Sequence, residues 1–385
     1  MTKNIIILGA SGSVGRQAQD VARARGYKID ALSVGKNVAE AERAAREFNP
    51  RVVAVADEAA AADLKIRLAD TEVKVTSGEQ GICDMIAKSP AETVVNAILG
   101  KAGLAPTLAT IDSGKRLALS NKESLVIAGE IVMRRASERG CEIIPVDSEH
   151  SAIFQSLKSG KNQEIRRIIL TASGGPFYGR SAEELKSVTL EQTLAHPTWK
   201  MGKKITVDSA TLMNKGFEVI EAAHLFSVQE NQIEVVIHRE SILHSAVEYI
   251  DNAIIGEMSL PDMRSCVQYA VDYPDRISGV GEPLDLFSLG KMTFAKPDYD
   301  AFVLLGLAKR ALADGGSMGA VLNASDEVAV AAFLDGRIGF ADISEIVLSV
   351  YERMTDYKGK ISLESILEAD RQARIITNEF IKQEK

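Results

Sequence analysis

Two short segments of the chain combine side chains whose types and spacing suit a metal-assisted reaction on an anionic substrate. They are DSE at 147–149 and NKGFE at 214–218. In an extended segment, Asp147 and Glu149 at i and i+2 would point the same way. On a helix, Asn214, Lys215 and Glu218 would share one face. Three carboxylates can hold a hard divalent cation, and the lysine and amide beside them suit an oxygen-rich anion. Spacing alone leaves ordinary exposed acids as an equal alternative.

A glycine-rich segment near the start of the chain predicts a nucleotide site. The sequence GASGSVG at 9–15 follows a strand pattern and precedes a helical one. In that context glycines permit a tight turn and let backbone amides approach a pyrophosphate at the helix N-terminus. The spacing GxxGxxG differs from the commoner GxGxxG, and a plain glycine turn is the alternative. The residues expected to contact the cofactor are Ser11, Gly12, Ser13 and Val14.

The end of the second predicted strand distinguishes between the two nicotinamide cofactors. NAD sites usually place Asp or Glu there to hold the ribose 2′-hydroxyl. This chain instead has Gly35, Lys36 and Asn37 after the strand. A cation and an amide without an acid favour a 2′-phosphate, so the sequence predicts NADPH. A solvated loop lysine is the alternative for Lys36.

Composition narrows the class of protein. The 385 residues carry a formal charge of −8 with 46% hydrophobic and 25% charged residues, which is ordinary for a globular protein of two or three domains. No basic block occurs, so nucleic acid and membrane are not expected as partners. Cys83, Cys141 and Cys266 lack metal-ligand or paired spacing, which fits a reducing compartment. The apolar run at 5–8 is too short for a signal peptide or a membrane span. We expect a cytoplasmic protein.

The pattern of elements predicts an α/β protein. Short β-branched runs alternate with amphipathic stretches over 1–147, which predicts βαβ units, a Rossmann-like parallel sheet and an NADPH-binding domain. The predicted strands there are Ile5–Leu8, Ile29–Ser33, Val52–Val55, Glu72–Val75, Thr93–Ala97, Leu117–Leu119 and Glu142–Val146. Residues 148–272 predict a central α+β domain with an open sheet for catalysis, metal and substrate binding and dimerisation. Proline-containing residues 273–299 predict a linker, and 300–385 a C-terminal helical bundle.

Several long motifs in a fixed order carry a family resemblance. They are VDSEHS at 146–151, TASGGPF at 171–177, HPTWKMG at 196–202, and KITVDSATLMNKG at 204–216 followed by Glu218. With NKES at 121–124, they resemble the 1-deoxy-D-xylulose 5-phosphate reductoisomerase family over nearly the whole chain. That resemblance implies conversion of 1-deoxy-D-xylulose 5-phosphate into 2-C-methyl-D-erythritol 4-phosphate, a step in isoprenoid precursor biosynthesis. It also implies NADPH, Mg²⁺ or Mn²⁺, and a homodimer.

The resemblance assigns a role to each site residue. The metal ligands implied are Asp147, Glu149 and Glu218, which with Lys122 form the catalytic set. The substrate-binding residues implied are Lys122, Ser148, Glu149, Ser173, His196, Trp199, Ser209, Asn214, Lys215 and Glu218. Within that set, the phosphate is expected at Ser173, Ser209, Asn214 and Lys215. The remaining cofactor neighbours implied are Asn121, Glu123, Gly202 and Met263. Oxygen ligands favour Mg²⁺ or Mn²⁺ over zinc.

Three site residues have plainer alternatives. Trp199 is the only tryptophan, and its polar, loop-like neighbours favour an active-site lid over core packing. Ser209 could cap the following helix, and Ser173 could be a turn residue. Both of these structural roles are compatible with contact to an anion.

Other polar residues receive structural or open interpretations. The polar residues at 323–327 begin a helical run and are interpreted as caps. The family commonly has Asn where Asp326 stands. For His150 and His244, tuning of the site and structural hydrogen bonding are equal alternatives, while His224 and His238 are interpreted as structural.

Two other functions compete with a reductoisomerase. A semialdehyde-dehydrogenase-type NADP oxidoreductase also starts with a glycine-rich turn, but it needs a reactive thiolate. A non-catalytic NADPH-sensing module would bind the cofactor, yet it has no use for a carboxylate cluster beside a phosphate site. Metal-dependent oxidation of NADPH in the presence of deoxyxylulose phosphate separates these functions.

Overall fold

A computed structural model describes residues 2–199, 201–359 and 361–383 of the chain. Lys200, within the motif at 196–202, lies outside the described residues. The strands are β1 (Asn4–Leu8), β2 (Lys28–Val34), β3 (Val52–Val55), β4 (Lys74–Ser77), β5 (Thr93–Asn96), β6 (Arg116–Leu119), β7 (Ile143–Pro145), β8 (Ile165–Ala172), β9 (Ile233–Ile237), β10 (Leu243–Tyr249) and β11 (Ile254–Met258). The α-helices are α1 (Ser13–Arg25), α2 (Val38–Phe48), α3 (Glu58–Arg67), α4 (Gly78–Lys88), α5 (Leu104–Asp112), α6 (Glu123–Arg139), α7 (Ser148–Ser156), α8 (Ala182–Leu185), α9 (Leu190–Leu194), α10 (Lys203–Ala210), α11 (Met213–Phe226), α12 (Met263–Asp272), α13 (Leu286–Leu289), α14 (Val303–Asp314), α15 (Met318–Leu334), α16 (Phe340–Arg353) and α17 (Leu363–Gln383). Short 3₁₀-helices occur at Gly100–Gly103, Leu157–Ser159, Asn162–Glu164, Glu230–Gln232 and Thr355–Tyr357.

The first of two compact units contains the parallel sheet. It consists of the described residues up to Ser124, together with Val132–Ser151 and Asp262–Glu282. Its strands lie in the order β4-β3-β2-β1-β5-β6-β7, and every neighbouring pair is parallel. The order reverses between β1 and β5, and open α/β sheets bind ligands at the carboxyl ends of the strands beside such a reversal. The predicted Rossmann-like sheet is confirmed.

Local sequence explains the elements of this unit. The first strand is a run of buried aliphatic residues, as expected for a strand covered on both faces. Gly26, with φ of 68°, ends α1 in the left-handed conformation, and the Asn37 side chain caps α2 by accepting from the Glu40 amide at 3.1 Å. The predicted strand at 72–75 is displaced, because β4 spans Lys74–Ser77 at the edge of the sheet.

The prediction of an extended segment through Asp147 and Glu149 is wrong. Strand β7 ends at Pro145, and α7 begins at Ser148. The Asp147 carbonyl accepts a hydrogen bond from the Ser151 amide at 2.8 Å, so Asp147 stands at the start of the helix and Glu149 lies in its first turn. The positive end of the helix dipole favours carboxylates at these positions.

The second unit contains the mixed sheet and the C-terminal helices. It consists of Leu125–Ile131, Ala152–Pro261 and the described residues from Pro283 onward. The strand order is β11-β10-β8-β9, in which β8 and β9 are parallel and the other pairs antiparallel. Residues from the sheet, from α11 and from α14 to α17 share one continuous apolar core. The predicted open sheet and helical C-terminal segment are both present.

The interpretation of residues 323–327 as helix caps is wrong. They lie in the middle of α15, and Asn323, Ser325 and Asp326 are fully buried. Helices α10, α14, α16 and α17 pack around α15, so these three polar residues are enclosed.

The compact units are built from non-contiguous segments. Residues 262–272, predicted in the central domain, and 273–282, predicted in the linker, belong to the first unit, where α12 packs against α1. The four-part division into domains stays a prediction. Within the described ranges, no helix is both long enough and apolar enough to cross a bilayer.

Candidate active site

The segment from the end of β1 into the first turn of α1 has space only for glycine at two positions. Gly9 has φ of 75°, and a Cβ there would lie 2.5 Å from the Ala97 carbonyl oxygen at the end of β5. A Cβ on Gly15 would lie 2.7 Å from Ala10 Cα and closer still to the Gly9 carbonyl. The Gly12 amide donates to the Gly9 carbonyl at 2.9 Å and closes the turn.

This geometry leaves the start of α1 open to an anion. Ser13 and Val14, the first two residues of the helix, are exposed and half-buried respectively, and Ser11 and Gly12 are half-buried. Amides at a helix start bind phosphates through their hydrogen atoms and the helix dipole.

The residues after β2 are exposed, and one of their side chains also caps the next helix. Gly35, Lys36 and Asn37 are exposed, although the Asn37 side chain is engaged in capping α2. The Ser33 hydroxyl accepts from the Gly9 amide at 3.2 Å, so the serine that replaces the usual acid supports the glycine turn.

Asn121, Lys122 and Glu123 follow β6 at the carboxyl edge of the same sheet. The buried Asn121 amide nitrogen donates to the carbonyls of Ile98 and Gly100 at 2.7 and 2.9 Å and to the Glu123 carboxylate at 3.0 Å. Asn121 therefore holds the loop after β5 in place. It is also one of the predicted cofactor neighbours.

A buried ion pair links the ends of β6 and β7. The Lys122 ammonium, which is almost fully buried, contacts the Asp147 carboxylate. At the first residue of α7, the Ser148 hydroxyl donates to Glu149 Oε2 at 2.5 Å. The first unit thus brings Lys122 and Asp147 together and holds Ser148 beside Glu149. Met263, the first residue of α12, belongs to the same unit and follows Asp262, whose carboxylate caps that helix.

In the second unit, β8 ends in a turn at Ser173-Gly174-Gly175. Gly175 has φ of 65°, and a Cβ there would lie 2.5 Å from the Ser209 carbonyl oxygen, so this glycine lets the turn pack against the end of α10. Arg239 donates to the carbonyls of Ser173 and Gly175 at 2.7 Å each and holds the turn. Arg239 is not among the site residues predicted from the sequence. Its position in the sequence could have identified it, because Arg239 follows β9 by two residues. Strand β9 runs parallel to β8, so the two strands end at the same edge of the sheet.

His196 is neutral and orients the Ser173 hydroxyl. Burial, together with the charge of Arg239, lowers the pKa of His196 to about 4. Its Nδ1 accepts from the amides of Thr198 and Trp199 at 3.2 and 2.9 Å, which assigns the proton to Nε2. Nε2 then donates to Ser173 Oγ at 3.1 Å.

Trp199 and Gly202 lie between this turn and α10. The half-buried Trp199 ring packs against His244, with ring centroids 6.2 Å apart. Gly202 is exposed and occupies the N-cap position of α10. The His244 ring contacts the Ser259 carbonyl at 3.1 Å, which fits its structural interpretation.

The start of α11 carries the remaining predicted substrate residues. Leu212, with φ of 59°, separates α10 from α11, a conformation that is costly for a branched residue. Asn214 donates to Glu218 Oε1 at 2.6 Å, and the buried Lys215 ammonium pairs with Glu218 Oε2. These three side chains share one helical face, as predicted. Ser209 lies in the last turn of α10, so its alternative interpretation as a helix cap is wrong.

The predicted residues therefore form two groups, one in each unit. The glycine turn, the residues after β6 and the start of α7 lie at the carboxyl edge of the parallel sheet. Ser173, His196, Ser209, Asn214, Lys215 and Glu218 lie around the ends of β8 and α10 and the start of α11. Their individual roles in binding stay predictions.

Two of the three thiols, those of Cys83 and Cys141, do not have the character of nucleophiles. Burial raises the pKa of Cys83, and burial raises the pKa of Cys141 to about 11. A catalytic thiolate needs the opposite shift. This observation weighs against the semialdehyde-dehydrogenase alternative.

Three family models match successive parts of the chain. Residues 5–129 match 1-deoxy-D-xylulose 5-phosphate reductoisomerase, 143–226 match the C-terminal domain of that enzyme, and 258–376 match the DXP reductoisomerase C-terminal domain.

Full-length relatives agree with these matches. A 1-deoxy-D-xylulose 5-phosphate reductoisomerase of Acetivibrio thermocellus is 50% identical over 382 residues, which cover 99% of this chain and all of the relative. The Zymomonas mobilis enzyme in complex with NADPH is 40% identical, with a TM-score of 0.91 and coverage of 99% of both chains. A DOX-P reductoisomerase in complex with NADPH, fosmidomycin and magnesium is 38% identical, with a TM-score of 0.94 and coverage of 99% and 98%. The chain therefore belongs to the 1-deoxy-D-xylulose 5-phosphate reductoisomerase family.

Proposed function

We propose that the protein rearranges and reduces 1-deoxy-D-xylulose 5-phosphate to 2-C-methyl-D-erythritol 4-phosphate, using NADPH and a divalent cation. The observation that carries the proposal is the likeness to a reductoisomerase at 50% identity over 99% of the chain. The product is a precursor for isoprenoid biosynthesis.

The chain's own groups fit both cofactors. The glycine turn and the start of α1 suit a pyrophosphate, and no acid follows β2 to oppose a 2′-phosphate. Asp147, Glu149 and Glu218 would hold Mg²⁺ or Mn²⁺, because carboxylate oxygens are the donors these cations prefer. When bound, the cation supplies Lewis acidity and NADPH supplies the hydride.

The second unit supplies the groups for the substrate's phosphate. Ser173 Oγ accepts from His196 and from the Gly175 amide at 3.2 Å, so its own proton can be donated to a phosphate oxygen. Ser209, Asn214 and Lys215 would add a hydroxyl, an amide and a positive charge. Binding energy from this non-reacting phosphate would orient the carbon skeleton for the rearrangement.

Other residues would act nearer the reacting carbons. Lys122 and Ser148 would donate to substrate oxygens, and the ion pair with Asp147 holds the Lys122 ammonium in place. Trp199 would cover the bound substrate and exclude water, which strengthens the electrostatic interactions beneath it.

The loss of NADPH absorbance on addition of 1-deoxy-D-xylulose 5-phosphate tests the proposal. We expect oxidation that requires the substrate and Mg²⁺ and stops with a chelator. Lys215→Ala should mainly raise KM for the phosphorylated substrate, while Lys203→Ala, an exposed lysine on α10, is the control. Oxidation that ignores the sugar phosphate, or that continues in full without a divalent cation, would refute the proposed reaction.

We also propose a cytoplasmic homodimer. Cys83, Cys141 and Cys266 are thiols rather than halves of disulfides, which fits a reducing compartment. Strand β11 is an edge of its sheet, and Ile254 and Ile255 on it are 57% and 38% exposed. An exposed apolar edge strand is a natural surface for pairing with a second copy.

A further inference from the structure

Four fully buried polar side chains form a chain of hydrogen bonds at the carboxyl edge of the parallel sheet. They are Asn96 at the end of β5, Thr107 on α5, Asn121 after β6 and Ser124 in the first turn of α6. The side-chain nitrogen of Asn96 lies 2.9 Å from Thr107 Oγ1, which lies 3.1 Å from Ser124 Oγ. The Ser124 hydroxyl in turn contacts Asn121 Oδ1. We name these four residues the buried relay, and residues 97–103 the β5 loop.

The hydrogen bonds of the buried relay can run in only one direction. Asn121 Oδ1 accepts from the Ser124 backbone amide at 3.1 Å, so it is the oxygen of that side chain. An amide oxygen only accepts, so the Ser124 hydroxyl must donate to it. Ser124 has no second proton and therefore accepts from Thr107, whose hydroxyl accepts from Asn96. Because each hydroxyl both donates and accepts, loss of either leaves a buried polar group without its partner.

The two ends of the buried relay hold the β5 loop. At one end, Asn96 Oδ1 accepts from the Ile98 amide at 3.2 Å, and the Asn96 side-chain nitrogen also donates to the Gly103 carbonyl at 3.1 Å. At the other end, Asn121 donates to the carbonyls of Ile98 and Gly100. Gly103 makes room for this contact, because a Cβ there would lie 2.3 Å from Asn121 Cγ. The relay therefore holds the loop near its start, its middle and its end.

The β5 loop lies at the proposed cofactor site. It begins at Ala97, whose carbonyl oxygen would lie 2.5 Å from a Cβ on Gly9 in the glycine turn. Strands β1 and β5 flank the reversal of strand order, beside which open parallel sheets bind their ligands. Asn121 and Glu123, two predicted cofactor neighbours, are hydrogen-bonded to each other at 3.0 Å. A displacement of the loop would therefore disturb the glycine turn and the residues after β6 together.

We propose that Thr107 is a positioning residue for NADPH, whose hydroxyl joins Asn96 to Ser124 and so fixes the β5 loop in the conformation that binds the cofactor. None of Asn96, Thr107 and Ser124 belongs to the predicted binding set. Thr107 is fully enclosed by the protein itself, so it acts through the loop. The effect on NADPH binding rests on the proposed function, whereas the effect on the loop does not.

A matched pair of threonines on α5 tests the effect on the loop. Thr107→Val removes the hydroxyl of the buried relay and keeps the branched shape of the side chain. Thr110→Val is the control, because Thr110 is equally buried on the same helix and its hydroxyl donates to the Pro106 carbonyl of that helix at 2.8 Å. We expect amide hydrogen exchange in the β5 loop to be at least about fivefold faster in Thr107→Val and unchanged in Thr110→Val. Equal exchange in the two variants would overturn the proposal.

Cofactor binding separates positioning from a purely structural role. The Kd for NADPH, measured by nucleotide fluorescence, should rise at least about fivefold in Thr107→Val, return to the parent value in Thr107→Ser, and stay unchanged in Thr110→Val. KM for NADPH should rise in the same proportion, while kcat at saturating NADPH stays constant. An unchanged Kd in Thr107→Val would refute the positioning role even if the loop exchanges faster. Absence of turnover in a parent protein that binds NADPH would refute the proposed function alone, because neither exchange nor Kd needs turnover.

A double variant tests whether the two hydroxyls belong to one chain. Ser124→Ala interrupts the buried relay one step further along, without the apolar group that Val adds, and should also raise the Kd for NADPH. Because either substitution breaks the same chain, the Kd of the variant with both Thr107→Val and Ser124→Ala should lie within about twofold of the larger single effect. Effects that multiply in the double variant would refute the relay.

Discussion

Replacing Gly15 by Ala tests whether the glycine turn is shaped by close approach of its own backbone. The new Cβ would lie 2.7 Å from Ala10 Cα, against an ordinary carbon–carbon contact of about 3.5–4.0 Å. The backbone must therefore move by roughly 1 Å, and overpacking of this kind costs about 1–3 kcal/mol. The intrinsic preference of a helix for Ala offsets about 0.5–1 kcal/mol of that cost.

The same displacement should weaken cofactor binding. A shift of the Ser13 and Val14 amides would impair hydrogen bonds to a charged pyrophosphate, which contribute about 1.5–3 kcal/mol each. We expect the Kd for NADPH, measured by nucleotide fluorescence, to rise at least about tenfold. Gly306→Ala in α14 is the matched control, since its Cβ would meet Tyr299 at an ordinary 3.8 Å. It should leave the Kd unchanged and raise the free energy of unfolding slightly. A Gly15→Ala protein with the parent's Kd and stability would show that the turn has room for a side chain.

Three further predictions follow from single residues. Glu218→Gln should lower kcat at least about 100-fold, because it weakens the proposed metal site. Steady-state kinetics over a Mg²⁺ titration measure this effect, with Glu183→Gln, at an exposed position, as the control. An unchanged kcat would remove Glu218 from the metal ligands. Burial lowers the pKa of His224 to about 4, so this side chain stays neutral in the folded protein, whereas in the unfolded chain it takes up a proton near pH 6.5. As pH falls from 6.5 to 4, the free energy of unfolding of the parent should therefore decrease by up to about 3 kcal/mol relative to His224→Gln. Equal denaturant midpoints of the two proteins throughout that window would contradict this prediction. Ile254→Lys should convert the proposed dimer to monomer in light scattering, and a dimer of unchanged affinity would exclude β11 as its interface.

The sequence predicted the first unit well because its signals are local. Runs of β-branched residues mark strands buried on both faces, and the predicted Val52–Val55 coincides with β3. The glycine turn could also be predicted from the sequence, because strand, turn and helix follow one another within the first 25 residues. The i, i+3 and i, i+4 spacing likewise predicted the common face of Asn214, Lys215 and Glu218 on α11.

Features that depend on packing between residues far apart in the sequence could not be predicted. The start of α7 was interpreted as extended, although an acid and a serine before Glu149 are also the residues that begin helices. Residues 323–327 resemble caps by composition, but their burial depends on four helices from other parts of the chain. Lys204 and Asp326 are in contact although they lie 122 residues apart in the sequence, so no local pattern predicts the contact.

Arg239 changes how the proposed phosphate site should respond to pH. Its guanidinium holds the Ser173 turn and opposes a second positive charge on His196, so the imidazole contributes orientation rather than charge. Because the pKa of His196 is about 4, its protonation lies below the range in which KM would be measured. A change in KM near pH 6 would then reflect the second ionisation of the substrate's phosphate, whose pKa is about 6.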